Sequence, residues 1–186
     1  MQTMNKEDVE SLMAMLLDRA KEIREGYGYS GDEEMTPTAF IVSEEGIGIY
    51  ALTWKNNKEK YRMAQIVNAM ARELKARSLS FASDARWVKL EVFCDYYRLD
   101  KPNGQNVERL TSDYYRILAA HGGELKKLPR EVWEEAVVVF TNGPGIPTTL
   151  KMAPYREGPN DTIEWLPRET HPDERGKSDM LTDWWS

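Results

Sequence analysis

Two pairs of short runs rich in β-branched and aromatic residues, each pair joined by a tight turn, constrain this chain more than any other feature. Thr38–Ser43 (TAFIVS) and residues 48–54 (GIYALTW) flank Glu44-Glu45-Gly46. Residues 136–141 (AVVVFT) and 148–153 flank Asn142-Gly143-Pro144-Gly145. Turns this short join antiparallel neighbours, because a parallel pair needs a crossover of roughly a dozen residues or more. The chain is therefore expected to build its sheet from hairpins.

Outside these pairs the apolar period changes from two to between three and four. Val9, Leu12, Met13, Leu16, Ala20 and Ile23 line one face of an expected helix over 5–25, with Asn5 and Asp8 as a capping pair. Gly26, Gly28 and Gly31 then break the chain into a polar loop. Residues 57–76 form a second expected helix. Its apolar face is Met63, Ile66, Val67, Met70, Ala71 and Leu74, and Lys58, Lys60, Arg62, Arg72 and Lys75 make the opposite face basic. Residues 79–83 (LSFAS) fit a strand returning from it. Residues 85–98 are too dense in aromatics to assign to helix or strand, and Pro102-Asn103-Gly104 ends them. A further helix is expected over 106–120, a short one from Pro129 to Trp133, and an edge strand over 162–166.

These elements predict an α+β fold: an antiparallel sheet built from two hairpins and a central strand, with helices mainly on one face. Residues 1–167 read as a single domain and 168–186 as an acidic tail. The element order resembles that of small profilin-like and longin-like sensor or adaptor domains, and the helical excursion at 85–133 departs from it.

Composition narrows the chemistry. The net charge is −6, and residues 157–186 hold eight acidic and three basic side chains, so the body is near neutral. This argues against a nucleic-acid footprint over the whole surface. A single cysteine fits a reducing compartment. The polar N-terminus and the lack of a long apolar run predict a cytoplasmic protein without membrane association.

Two histidines cannot build the usual zinc sites. His121, before Gly122-Gly123, fits a helix C-terminus, and His171 falls in the tail. Cys94 sits among Phe93, Tyr96 and Tyr97 and reads as a buried thiol. The carboxylates Glu44, Glu45, Asp84, Glu91, Asp95, Glu134 and Glu135 read mainly as solvated. Asp84, just after a strand, is the best single candidate for a metal-dependent hydrolytic or nucleolytic site. The glycine-rich turns have the wrong element order for phosphate cradles. No cofactor is expected.

Two features point to binding. Asp95-Tyr96-Tyr97-Arg98 recurs eighteen residues later as Asp113-Tyr114-Tyr115-Arg116. Tyr96, Tyr97, Tyr114 and Tyr115 fit either a core boundary or an interaction face, since Tyr and Arg are enriched at binding hot spots. With the basic helix face they also suit stacking on single-stranded nucleic acid. The tail ends in Leu181-x-x-Trp184-Trp185, which resembles the hydrophobic core of a sliding-clamp-binding peptide, with Ser178 where such peptides carry Gln. Burying the indoles drives docking on a partner or on the chain's own domain. The leading expectation is a small non-enzymatic interaction protein, an adaptor or inhibitor, with an unidentified protein partner. The oligomeric state is left open.

Overall fold

The computed structural model describes residues 4–29 and 34–167. Among them, four helices and six strands follow in the order α1 (Lys6–Glu25), β1 (Thr38–Ser43), β2 (Gly46–Ala51), α2 (Asn57–Glu73), β3 (Ser78–Val88), α3 (Leu90–Tyr96), α4 (Val107–Ala120), β4 (Trp133–Gly143), β5 (Ile146–Glu157) and β6 (Ile163–Trp165). The strands form one sheet in the order β2-β1-β3-β4-β5-β6. β1 is antiparallel to both β2 and β3, and β5 is antiparallel to β6. The α+β class and the antiparallel sheet are as the sequence predicts.

Contacts divide the body into two compact units. Among the described residues, the first comprises those up to Asp84 and those from Val137 to Pro167, and the second comprises residues 85–136.

In the first unit, β1 is apolar on both faces and needs cover on both. Ala39 and Ile41 pack with Ala64, Val67 and Ala71 of α2, while Phe40 and Val42 pack with Leu12, Leu16 and Ala20 of α1. Successive strand residues point to opposite faces, so α1 and α2 lie on opposite sides of the sheet. This corrects the expectation of helices mainly on one face. Both helices start at an asparagine cap, of which the sequence singles out Asn5 with Asp8. Asn5 accepts from the Asp8 N–H at 2.9 Å, and Asn56 from the Glu59 N–H at 3.0 Å.

α2 is rotated from its predicted face. Ala64, Val67, Asn68 and Ala71 are buried, whereas Ile66 and Leu74 are exposed. Asn68 enters the core because its Nδ2 donates to the Ala64 carbonyl at 2.6 Å. The first hairpin is also tighter than predicted. Its turn is Glu44-Glu45 alone, and β2 begins at Gly46, whose φ of 135° suits glycine. At Gly143, a Cβ would stand 2.4 Å from the Arg77 carbonyl oxygen, so only glycine permits the approach of the two backbones.

In the second unit, Phe93, Leu128, Val132 and Trp133 form a small core, with Val88, Tyr97, Leu99, Tyr114, Ile117 and Leu118 packed around it. The ambiguous segment is both strand and helix: β3 runs on to Val88 and α3 starts two residues later. The short helix expected through Trp133 is a 3₁₀ turn at Arg130–Val132, and Trp133 opens β4.

Candidate interaction surfaces

The two tyrosine pairs converge in the second unit. Phe93 packs tilted against Tyr97 with centroids 4.8 Å apart and edge-to-face against Tyr114 at 5.7 Å. Tyr96 lies 5.0 Å from Tyr97, and Tyr115 lies 5.2 Å from Tyr114. The rings form a row, Tyr96-Tyr97-Phe93-Tyr114-Tyr115, with Phe93 buried at its centre, Tyr97 and Tyr114 half-buried beside it, and outer members that are 48% (Tyr96) and 62% (Tyr115) exposed. Each copy of the repeat supplies one inner and one outer ring. Helical spacing explains this within each copy: Tyr97 is four residues from Phe93, and Tyr114 shares the inward side of α4 with Ile117 and Leu118.

Burial pushes the Tyr97 phenol above its ordinary value, with Tyr96 and Glu131 adding to the shift. Burial does the same to Tyr114, followed by Tyr115. The Tyr97 hydroxyl is buried with no hydrogen-bond partner among the described residues. Adjoining the row, His121 caps α4, its Nδ1 2.9 Å from the Ile117 carbonyl oxygen. Cys94 is fully buried, and burial first, then Asp95 and Asp100, raises its thiol pKa. That environment disfavours the thiolate a nucleophile needs.

The carboxylates singled out in the sequence are dispersed. Glu44 pairs with Arg77 at 3.1 Å, Glu135 with Arg86 at 2.7 Å, Glu134 with Lys89 at 3.7 Å and Asp95 with Lys101 at 3.7 Å. Among the described residues, no cluster of three or more His, Cys, Asp or Glu is arranged to hold a metal.

Asp84 is committed to the interior of the first unit. It pairs with Arg24 at 3.2 Å, both side chains being almost fully buried. It also accepts from the Tyr155 hydroxyl at 3.1 Å and from the Met35 N–H at 2.7 Å. Arg24 donates in turn to Tyr155 at 3.1 Å and to the Gly28 carbonyl at 2.7 Å. The network fastens the loop after α1 to β3 and β5. A hollow of about 310 Å³ reaches Asp84 beside Glu34, Thr53, Trp54 and Ser83. Arg24 and Tyr155 carry no sequence signal for this role, because nothing local to either residue marks the other.

A second surface that the sequence reading missed lies between α1 and β2. Met15, Leu16, Phe40, Ile47 and Ile49 line a groove of about 660 Å³, with Asp18, Arg19 and Glu22 on its rim. Met15, Ile47 and Ile49 are each more than two-fifths exposed. The alternation Gly46-Ile47-Gly48-Ile49 was its available signal. Leu181, Trp184 and Trp185 lie outside the described residues.

Among the described residues, no helix is long and apolar enough to cross a membrane. Comparison with models of known protein families, with curated protein sequences and with solved structures finds no match to this chain.

Proposed function

We propose that the protein is a small, non-enzymatic, cytoplasmic interaction module, an adaptor or an inhibitor of a larger assembly. It engages a protein partner through the Tyr96/Tyr115 row and through the Leu181/Trp184/Trp185 segment of its tail. The observation that supports this reading is the row of packed rings itself. Its inner rings are fixed by Phe93, so its exposed outer rings are held in position. Pre-ordered aromatic side chains lose little freedom on binding, which is why such residues act as anchors. The acidic flank of the tail favours a partner with a basic surface.

The test uses the intact chain as bait in lysate of its source cell, beside a Tyr96→Ala/Tyr115→Ala double variant and a Leu181→Ala/Trp184→Ala/Trp185→Ala triple variant. A partner retained by the wild type and lost from both variants supports the reading. Equal retention by all three folded proteins removes both surfaces from it. An empty list for the wild type sinks the adaptor reading as a whole.

A further inference from the structure

We propose that the open edge of β2 seats a second copy of this chain, the two β2 strands pairing antiparallel about a two-fold axis at Gly48.

Among the described residues, the sheet ends in two unlike edges. β6 is three residues long and covers only residues 155–157 of β5, whose uncovered stretch includes Pro147, Lys151 and Pro154; Glu164 of β6 is held by two bonds from Arg156 at 3.0 and 2.7 Å, and Lys21 lies over its Trp165 ring. Short, charged edges of this kind resist further pairing. β2 is twice as long, pairs with β1 in unbroken register, and has no charge, proline or bulge from Gly46 to Ala51. It is an unguarded template.

The phase of its backbone groups allows a symmetric pair with a copy of itself. Leu52, just beyond β2, donates its N–H to the Pro37 carbonyl at 2.7 Å. Even-numbered residues of this segment therefore turn their backbone groups toward β1, and Ile47, Ile49 and Ala51 turn theirs to the open edge. A two-fold axis normal to the sheet keeps each side chain on its own face. With Gly48 on that axis, Ile47 of one copy stands opposite Ile49 of the other, twice, and both pairs are of the hydrogen-bonded kind. The four isoleucines and the two Met15 side chains then close the exposed grooves against each other. The rim carries Asp18 and Glu22 with Arg19 between them in sequence, a mixed set that a self-complementary contact tolerates.

Size sets the expected strength. Six residues of strand span about 20 Å, and a sheet with a helix on either face is about 30 Å thick. The resulting face of about 600 Å² per copy falls short of the roughly 800 Å² of a standard stable interface. The dimer is therefore reversible.

Sedimentation velocity of the full chain from roughly 1 to roughly 500 μM covers the range an interface of this size calls for. The expected result is a monomer that converts to dimer as concentration rises, and an Ile49→Lys variant that stays monomeric with an unchanged circular dichroism spectrum. An independent readout uses Gly48→Cys. A non-hydrogen-bonded antiparallel pair brings its Cα atoms to about 4.5 Å, within disulfide reach. The nearest obstacle to the new side chain is the Tyr50 ring, which can swing aside. Ala51→Cys is the control, its two copies lying about 20 Å apart in this register. Cys94 is buried and does not compete. Under mild oxidation Gly48→Cys should link at least tenfold faster than Ala51→Cys. A monomer at every concentration overturns the proposal, and this includes the case in which the edge accepts an extended peptide of another protein. A dimer that survives Ile49→Lys overturns it, as does Gly48→Cys linking no faster than the control.

Discussion

The two units hold their interiors together by different means. In the first, Arg24, Asp84 and Tyr155 form a buried polar network beside the apolar core around Phe40, Val137 and Val139. In the second, tilted and edge-to-face ring contacts with Phe93 make much of the core, and the Tyr97 hydroxyl enters it with no hydrogen-bond partner among the described residues. A buried charge pair is sensitive to the loss of either member, because the survivor is left charged in a poor solvent. A core of packed rings depends on its central ring and tolerates edits at its polar margin. The first unit is therefore expected to respond strongly to changes of charge, and the second to changes of volume.

The largest expected effect is at Asp84. Asp84→Ala strands the buried Arg24 guanidinium and should cost about 3–5 kcal/mol in urea unfolding. Replacing both members, Arg24→Met with Asp84→Leu, should recover most of that loss. A double variant as unstable as the single one would mean that the loop anchored at Gly28 and Met35, not the charge, sets the cost.

Phe93→Ala removes the ring at the centre of the row and should cost about 3–5 kcal/mol. Hydrogen exchange should show faster opening in residues 90–120 before the first unit responds. Uniform acceleration across the chain would make the two units one cooperative body and erase the contrast.

The tyrosines sharpen the comparison at the level of one oxygen. Tyr155→Phe withdraws a hydroxyl that bonds both Arg24 and Asp84 and should cost about 1.5–3 kcal/mol, the range for bonds to charged groups. Tyr97→Phe withdraws a hydroxyl with no partner among the described residues and should be neutral or stabilise by up to about 1 kcal/mol. Equal losses at both sites in thermal melts would refute the difference drawn between the interiors.

The smallest effect is alkaline. Tyr97 and Tyr114 have folded pKa values raised by burial, so the folded chain holds these protons more tightly than the unfolded one. Stability from this source is intact below the ordinary phenol value of about 10 and is lost as pH rises through it toward the folded values. A Tyr97→Phe/Tyr114→Phe variant should flatten the loss seen in urea melts between about pH 9 and 11.

Local rules made much of the fold legible. The first hairpin, the helices that follow Asn5 and Asn56, and the antiparallel class rest on turn chemistry and periodicity within a few residues of each other. Residues 85–98 resisted assignment because they change from strand to helix at Lys89, and the aromatic density on either side suits both. The face of α2 was misjudged for a different reason. Periodicity finds an apolar stripe, but Asn68, able to bond the Ala64 carbonyl, and the small Ala64 were admitted to the core while the larger Ile66 and Leu74 were left outside.

For the candidate surfaces, the sequence supplied the tyrosines and tertiary structure supplied their arrangement. An eighteen-residue repeat cannot state that one ring of each pair turns inward to meet at Phe93, because that depends on how α3 and α4 pack. Asp84 looked available in the sequence and is engaged in the structure, because Arg24 and Tyr155, sixty and seventy-one residues away, close on it. Elements of secondary structure follow from short-range backbone and side-chain preferences, which the sequence by itself determined here. Which face is covered, which charge is paired and which strand edge stays open are outcomes of long-range packing, and only the tertiary structure decided them.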